Sequence, residues 1–166
     1  MTCCKEIPIP TLKISPSEIS RLNFFYNNAK RKVFQNRYNL SNWFSLSFID
    51  NEVESTIIQN FPNIYDWFTM VKKSDLLGVK ECYLSVLEAK TSIPWHKDLH
   101  EDVFSKAFLT SISTDKSFIE FRNDKKYTYK PGHSYVIRSA IEHRILNLSD
   151  ANRFTLCTTP LENPYV

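Results

Sequence analysis

After Gly78 the apolar residues of this chain recur at every second position and hold that period to residue 159. A period of two belongs to strands, whose side chains alternate between faces. Seven segments carry it: 81–88, 107–112, 117–121, 126–129, 134–138, 142–147 and 153–159. Turn chemistry separates them in Ser113-Thr114-Asp115, Arg122-Asn123-Asp124, Lys130-Pro131-Gly132 and Leu148-Ser149-Asp150-Ala151-Asn152. Short strands at that spacing build an antiparallel sandwich or barrel. The residues before Gly78 read differently. Ser15-Pro16-Ser17-Glu18 is a capping box with proline at the first helical position, followed by Ile19, Leu22 and Phe25 or Tyr26 at helical spacing. A second helix is expected over 51–60, with Val53, Ile57 and Ile58 on one side and Pro62 ending it, and a short helix over 64–71. Between them residues 43–48 alternate as a strand, with Phe44, Leu46 and Phe48 on one face. The expectation is a mainly β chain, a jelly-roll core buttressed by N-terminal helices. One domain covers residues 1–166, with a helical buttress and extra strands in 1–78, the core in 79–160 and a tail in 161–166.

Several function classes are excluded early. The chain has two glycines, Gly78 and Gly132, and neither a Walker loop nor a Rossmann fingerprint can be written with two isolated glycines. A net charge of +3 is too small to imply a polyanionic partner, so nucleic-acid binding has no support. The basic stretch Lys30-Arg31-Lys32 with Arg37 could touch phosphates, but it reads first as the solvated end of a helix. No apolar run approaches the roughly eighteen residues of a bilayer crossing, so an integral membrane protein is not expected. Met1-Thr-Cys-Cys-Lys-Glu lacks the basic-then-apolar layout of a secretory signal. Cys3, Cys4, Cys82 and Cys157 form no CxxC pair, which points to the cytoplasm, a reducing compartment.

Four histidines carry what remains. His96-x-Asp98 places two side chains on one side of an extended backbone. His143 follows Asp98 by 45 residues, about five strands with their turns, enough for a rolled sheet to return beside its starting point. Two imidazoles and one carboxylate then cap one face of a metal and leave the other open, the facial triad of non-haem iron(II). A lone His-x-Asp also arises by chance on a surface. Arg153 adds a second signal, because the turn 148–152 makes a hairpin that returns it beside the His143 strand. An arginine on the inner face of a sheet is costly to bury without an anion. A dicarboxylate co-substrate, chelating the metal at one end and pairing with arginine at the other, would satisfy it. The alternative is a surface arginine paired with Glu142 or Asp150. His133 reads as a turn residue, His100 as a loop residue at the entrance, and Trp95 as either a pocket wall or simple packing.

Ser85-Val86, His96, Pro131-Gly132, Glu142-His143, Asn147-x-Ser149-Asp150 and Arg153 together resemble the aspartyl/asparaginyl β-hydroxylase family over about residues 80–160. That family consists of double-stranded β-helix oxygenases dependent on 2-oxoglutarate and Fe(II), and it includes hydroxylases of free proline. The resemblance implies His96, Asp98 and His143 as iron ligands, Arg153 as the partner of the distal 2-oxoglutarate carboxylate, and Ser85 as a hydrogen-bonding residue to it. Lys106 falls near a family arginine that faces co-substrate or substrate, and Phe108 stands where the family tends to have histidine. The implied reaction consumes O2, with ascorbate as a stimulant, and hydroxylates a C–H of an amino acid or peptidyl residue with release of succinate and CO2. Lys97, Lys106 and Arg138 would favour a carboxylated substrate. Two other readings stay open: a cupin-like zinc or manganese protein using His96, His100 and His143, and a non-catalytic jelly-roll binding module contacting nucleic acid through residues 30–37.

Overall fold

The structure, a computed structural model, describes residues 2–29, 33–37, 40, 42–74, 78–98, 103–112, 116–122 and 125–166. Lys30-Arg31-Lys32, His100 and parts of two expected turns (113–115 and 123–124) lie outside the described residues.

Two antiparallel sheets face each other. The larger is built from β1 (Cys4–Ile7), β2 (Gln35–Asn36), β3 (Trp43–Asp50), β4 (Val53–Glu54), β5 (Val79–Leu87), β7 (Phe108–Ser111), β10 (Ser134–Ile137) and β12 (Arg153–Pro160). Its strand order is β1-β10-β7-β12-β5-β3-β2, with β4 paired to β3. The smaller contains β6 (Thr91–His96), β8 (Ser117–Phe121), β9 (Lys126–Thr128) and β11 (His143–Asn147), in the order β6-β11-β8-β9. This is the expected jelly roll, with α1 (Pro16–Ala29) and α2 (Pro62–Lys72) on the outer face of the larger sheet.

All seven segments expected after Gly78 are strands, with ends shifted by no more than two residues. The period-two pattern leaves out β6, because Pro94 interrupts it. Proline is accommodated there because β6 is an edge strand, where one side of the backbone has no ladder partner. The helix expected over 51–60 is absent. Asn51 and Glu52 have φ of 47° and 68°, which makes a two-residue hairpin between β3 and β4. Residues Thr56–Asn60 then form a 3-10 turn whose first amides are capped by Ser55, and Val53 is exposed. Pro62 starts α2 instead of ending a helix, since proline lacks only an amide that the first turn leaves unbonded anyway.

Alternation divides the large sheet into two chemistries. Leu84, Val86, Phe154 and Leu156 point outward and pack with Leu22, Tyr26, Trp67 and Phe68 of the helices. The opposite faces of β5 and β12 carry Tyr83, Ser85, Arg153, Thr155 and Cys157, which line a cavity between the sheets. A second apolar cluster, including Trp43, Ile93, Ile119, Phe121 and Ile145, closes the space around it. Gly132 ties the N-terminal segment to this frame. Its φ is 81°, its carbonyl accepts from the Leu12 amide at 2.9 Å, and a Cβ there would meet the Leu12 carbonyl oxygen at 2.3 Å.

The helices are locked to each other by an exchanged cap. The Ser15 hydroxyl accepts from the Glu18 amide at 3.2 Å, half of the expected capping box. The Glu18 carboxylate does not return to Ser15. It accepts from the Asn63 and Ile64 amides at 2.8 and 3.1 Å, capping α2, while Asn63 Oδ1 accepts from the Ser15 amide at 2.8 Å. Buried hydrogen bonds to a charged acceptor are individually strong. Glu18→Ala should therefore cost about 2–4 kcal/mol and lower the Tm by roughly 5–10 °C. A thermal melt within a degree of wild type would show that the exchanged cap is not holding the helices.

Candidate metal centre and its buried arginine

Antiparallel pairing of β11 with β6 sets His143 directly opposite His96, with ring centroids 4.4 Å apart. Asp98, just beyond β6, is held by its amide, which donates to the Ser139 carbonyl at 2.9 Å. Its carboxylate oxygens lie 3.5 Å from His96 Nε2 and 3.4 Å from His143 Nε2. One ligand atom from each of the three residues falls within 4.8 Å of the other two. Neighbouring ligands of an octahedral ion at about 2.1 Å stand about 3 Å apart, so the donor set fits a metal with little movement.

Both imidazoles are oriented the same way. His96 Nδ1 faces the Pro94 carbonyl at 2.7 Å, and His143 Nδ1 faces the Ile141 carbonyl at 2.8 Å. A carbonyl can only accept, so each Nδ1 carries the hydrogen and each Nε2 presents a lone pair to the shared point. Burial works against a charged Asp98 carboxylate, but with no metal present the hydrogen bond with His143 and the charges of His96 and His143 in their protonated form and of Arg37 outweigh it and hold its pKa below the ordinary value. The Nε2 lone pairs are exposed when a metal takes the place of those protons. His143 is buried and the Asp98 side chain is 39% exposed, so the centre opens toward solvent on the Asp98 side.

Deeper in the same cavity of about 260 Å³ lies Arg153, 2% exposed. Among the described residues its Nη2 has no hydrogen-bond partner, and its guanidinium carbon lies 5.6 Å from the centroid of the Tyr129 ring. Burial holds its pKa below the ordinary value. The surface alternative is excluded: Glu142 pairs with Arg122, and Asp150 with Lys90 at 2.8 Å. Thr155 Oγ1 and Tyr129 Oη are also buried without partners among the described residues. Ser85 lines the cavity, opposite Thr155 in the β5–β12 register. Along the cavity wall the guanidinium of Arg153 and the hydroxyls of Ser85 and Thr155 offer donors that a carboxylate, with about four lone pairs, can accept.

Other expectations separate here. Lys106 is exposed and does not line the cavity, while its neighbours Ser105 and Ala107 do, so the co-substrate position expected for it is corrected: in the bend before β7 its side chain turns to solvent. Arg138 stacks over Phe104, with 4.8 Å between its guanidinium carbon and the ring centroid, and Lys97 is exposed. Trp95 is packed between Arg122 and Arg144, at 4.7 and 4.9 Å, and is not a cavity wall. His133 pairs with Glu6 at 2.6 Å, away from the metal ligands. The residues that sequence reasoning missed are Arg37, Trp43, Tyr83, Thr155 and Cys157, all of them cavity lining. Thr155 could have been found from its i+2 relation to Arg153, and Trp43 from the face opposite Phe44 and Leu46. Arg37 carried no such signal. It reaches the cavity from beside β2, its guanidinium 5.5 Å from the Trp43 ring and 5.3 Å from the Tyr83 ring.

A family model described as aspartyl/asparaginyl beta-hydroxylase matches residues 17–161. The chain belongs to this family. Solved structures with the same fold include a prolyl-4-hydroxylase from Pseudomonas putida, with 12% identity over 97% of this chain and 93% of that one and a TM-score of 0.51. A viral collagen prolyl hydroxylase from Paramecium bursaria Chlorella virus 1, in complex with 2OG, shares 11% identity over 95% and 94% at a TM-score of 0.50. A DMSP lyase from Ruegeria pomeroyi shares 11% over 98% and 80% at 0.52. No curated protein matches the chain in sequence. Hydroxylases and a lyase on one scaffold leave the reaction to be argued from the family and the site.

An unpaired buried guanidinium destabilises the ligand-free protein. Arg153→Met keeps the volume and removes the charge, so the ligand-free variant should melt no lower than wild type, with a gain of up to about 3 kcal/mol. A melting temperature several degrees lower would mean that Arg153 has a structural anion.

Proposed function

We propose that this protein is a 2-oxoglutarate- and Fe(II)-dependent dioxygenase that hydroxylates a C–H bond of an amino acid or peptidyl residue. The observation that carries the reading is Arg153, a buried cation with no anion among the described residues, in the same cavity as two imidazoles and a carboxylate. A zinc or manganese cupin site has no use for such an anchor, and a non-catalytic module has no use for both features.

In this reading His96 and His143 hold the metal through Nε2 and Asp98 holds it through its carboxylate, three ligands on one face. Iron bound there would supply the oxidative decarboxylation of 2-oxoglutarate to succinate and CO2 that delivers one oxygen atom of O2 to the substrate. The rest of the work belongs to the chain. Arg153 binds the distal carboxylate of the co-substrate, with Ser85 and Thr155 adding hydroxyl donors. The backbone carbonyls of Pro94 and Ile141 accept from Nδ1 of the two imidazoles and keep both Nε2 atoms aimed at the metal. Ile93, Leu109, Ile137 and Ile145 line the cavity and exclude water from the reacting groups. Arg37, a second arginine of the lining, supports a substrate that carries a carboxylate, the role expected of Lys97, Lys106 and Arg138. Four free thiols agree with the reducing cytoplasm as its compartment.

With Fe(II), ascorbate and 2-oxoglutarate, purified protein should release succinate even without substrate, and His143→Ala should abolish the release. Arg153→Ala should raise the 2-oxoglutarate requirement at least about tenfold. A metabolite and peptide pool should contain a species that gains one oxygen atom by mass spectrometry only when 2-oxoglutarate is present. Equal succinate from wild type and His143→Ala would refute the reading.

A further inference from the structure

The reading of the cavity as a 2-oxoglutarate site raises a question about Ser85. A hydroxyl can donate or accept, and only a donating hydroxyl helps to bind a carboxylate. The answer lies on the neighbouring strand. Trp43 Nε1 donates to Ser85 Oγ at 2.9 Å, and both side chains are buried. An indole N–H is only ever a donor, so it occupies one lone pair of Ser85 and turns the Ser85 proton away from itself. Thr155 faces Ser85 across the ladder and its hydroxyl is not bonded to it, so the Ser85 proton is directed to the cavity.

Trp43 is itself firmly placed. Its strand pairs with β5 in the register Trp43↔Leu87 and Ser45↔Ser85. Its carbonyl accepts from the Arg37 amide at 2.9 Å, and its ring lies 5.5 Å from the Arg37 guanidinium carbon and 6.2 Å from the His96 ring centroid. One indole therefore adjoins His96, Arg37 and the Ser85 hydroxyl. We infer that Trp43 is a positioning residue that fixes Ser85 as a donor to the distal carboxylate, so that 2-oxoglutarate affinity depends on the Trp43 N–H acting through Ser85. This inference rests on the proposed function.

The test is a double-mutant cycle on the full chain loaded with Mn(II), which allows calorimetric titration of 2-oxoglutarate without turnover. Trp43→Phe should weaken binding roughly three- to tenfold and Ser85→Ala at least about tenfold. In the Ser85→Ala background, Trp43→Phe should add less than about twofold. Mn(II) affinity should stay within about twofold of wild type, which a general packing defect at the metal centre would not allow. If Trp43→Phe does not fold, benzothienylalanine at position 43 preserves the shape of the indole and deletes only the N–H, with the same expected effect. Unchanged affinity in the Trp43 variant, or independent effects that multiply in the double variant, would overturn the inference while leaving the oxygenase reading intact. Wild-type protein that binds no 2-oxoglutarate with Mn(II) would overturn both.

Discussion

The register of β11 against β6 is the constraint on which the site depends. It places His143 opposite His96 on the inner face of the small sheet. Side chains alternate along a strand, so a slip of one residue would carry His143 to the outer face and bring Glu142 or Arg144 inward. The register is pinned on both sides. Outside it, Arg144 pairs with Glu120 at 2.6 Å and Trp95 packs between Arg122 and Arg144. Inside it, Ile145 lies opposite Ile93 and Ile119 in the intersheet core. The outer ladder of charges and the inner apolar row thus select the same pairing.

Across the cavity the larger sheet meets a harder demand. Its outward face is wholly committed to the helices, through residues such as Leu84, Val86, Phe154 and Leu156. Its inner face carries Arg153, Thr155 and Ser85 where apolar side chains would give a more stable sandwich. Arg153 and Thr155 leave buried polar atoms without partners among the described residues, which costs free energy in the ligand-free chain. The surrounding frame absorbs that cost: two apolar clusters, the exchanged helix caps and the Gly132 contact. Stability is given up where a ligand can restore it by binding.

Much of this was legible in the sequence because it is periodic. The strands after Gly78 announced themselves by alternation, and His96, Asp98, His143 and Arg153 could be placed on inner faces by parity and turn length. What escaped was set by tertiary context. Pro94 hid β6 because nothing in the sequence says that the strand lies at an edge. Asn51-Glu52 became a hairpin where apolar spacing suggested a helix, because two left-handed residues override a weak helical pattern. Lys106 turns to solvent in the bend before β7. Arg37 lines the cavity from beside a strand two residues long, too short to carry any period.

The most direct test is crystallographic. Crystals grown with Mn(II) and 2-oxoglutarate should show an anomalous peak bonded to His96 Nε2, His143 Nε2 and Asp98. The distal carboxylate of the co-substrate should then lie within hydrogen-bond distance of Arg153. Metal bound elsewhere, or a co-substrate carboxylate that leaves the Arg153 guanidinium unpaired, would contradict the account.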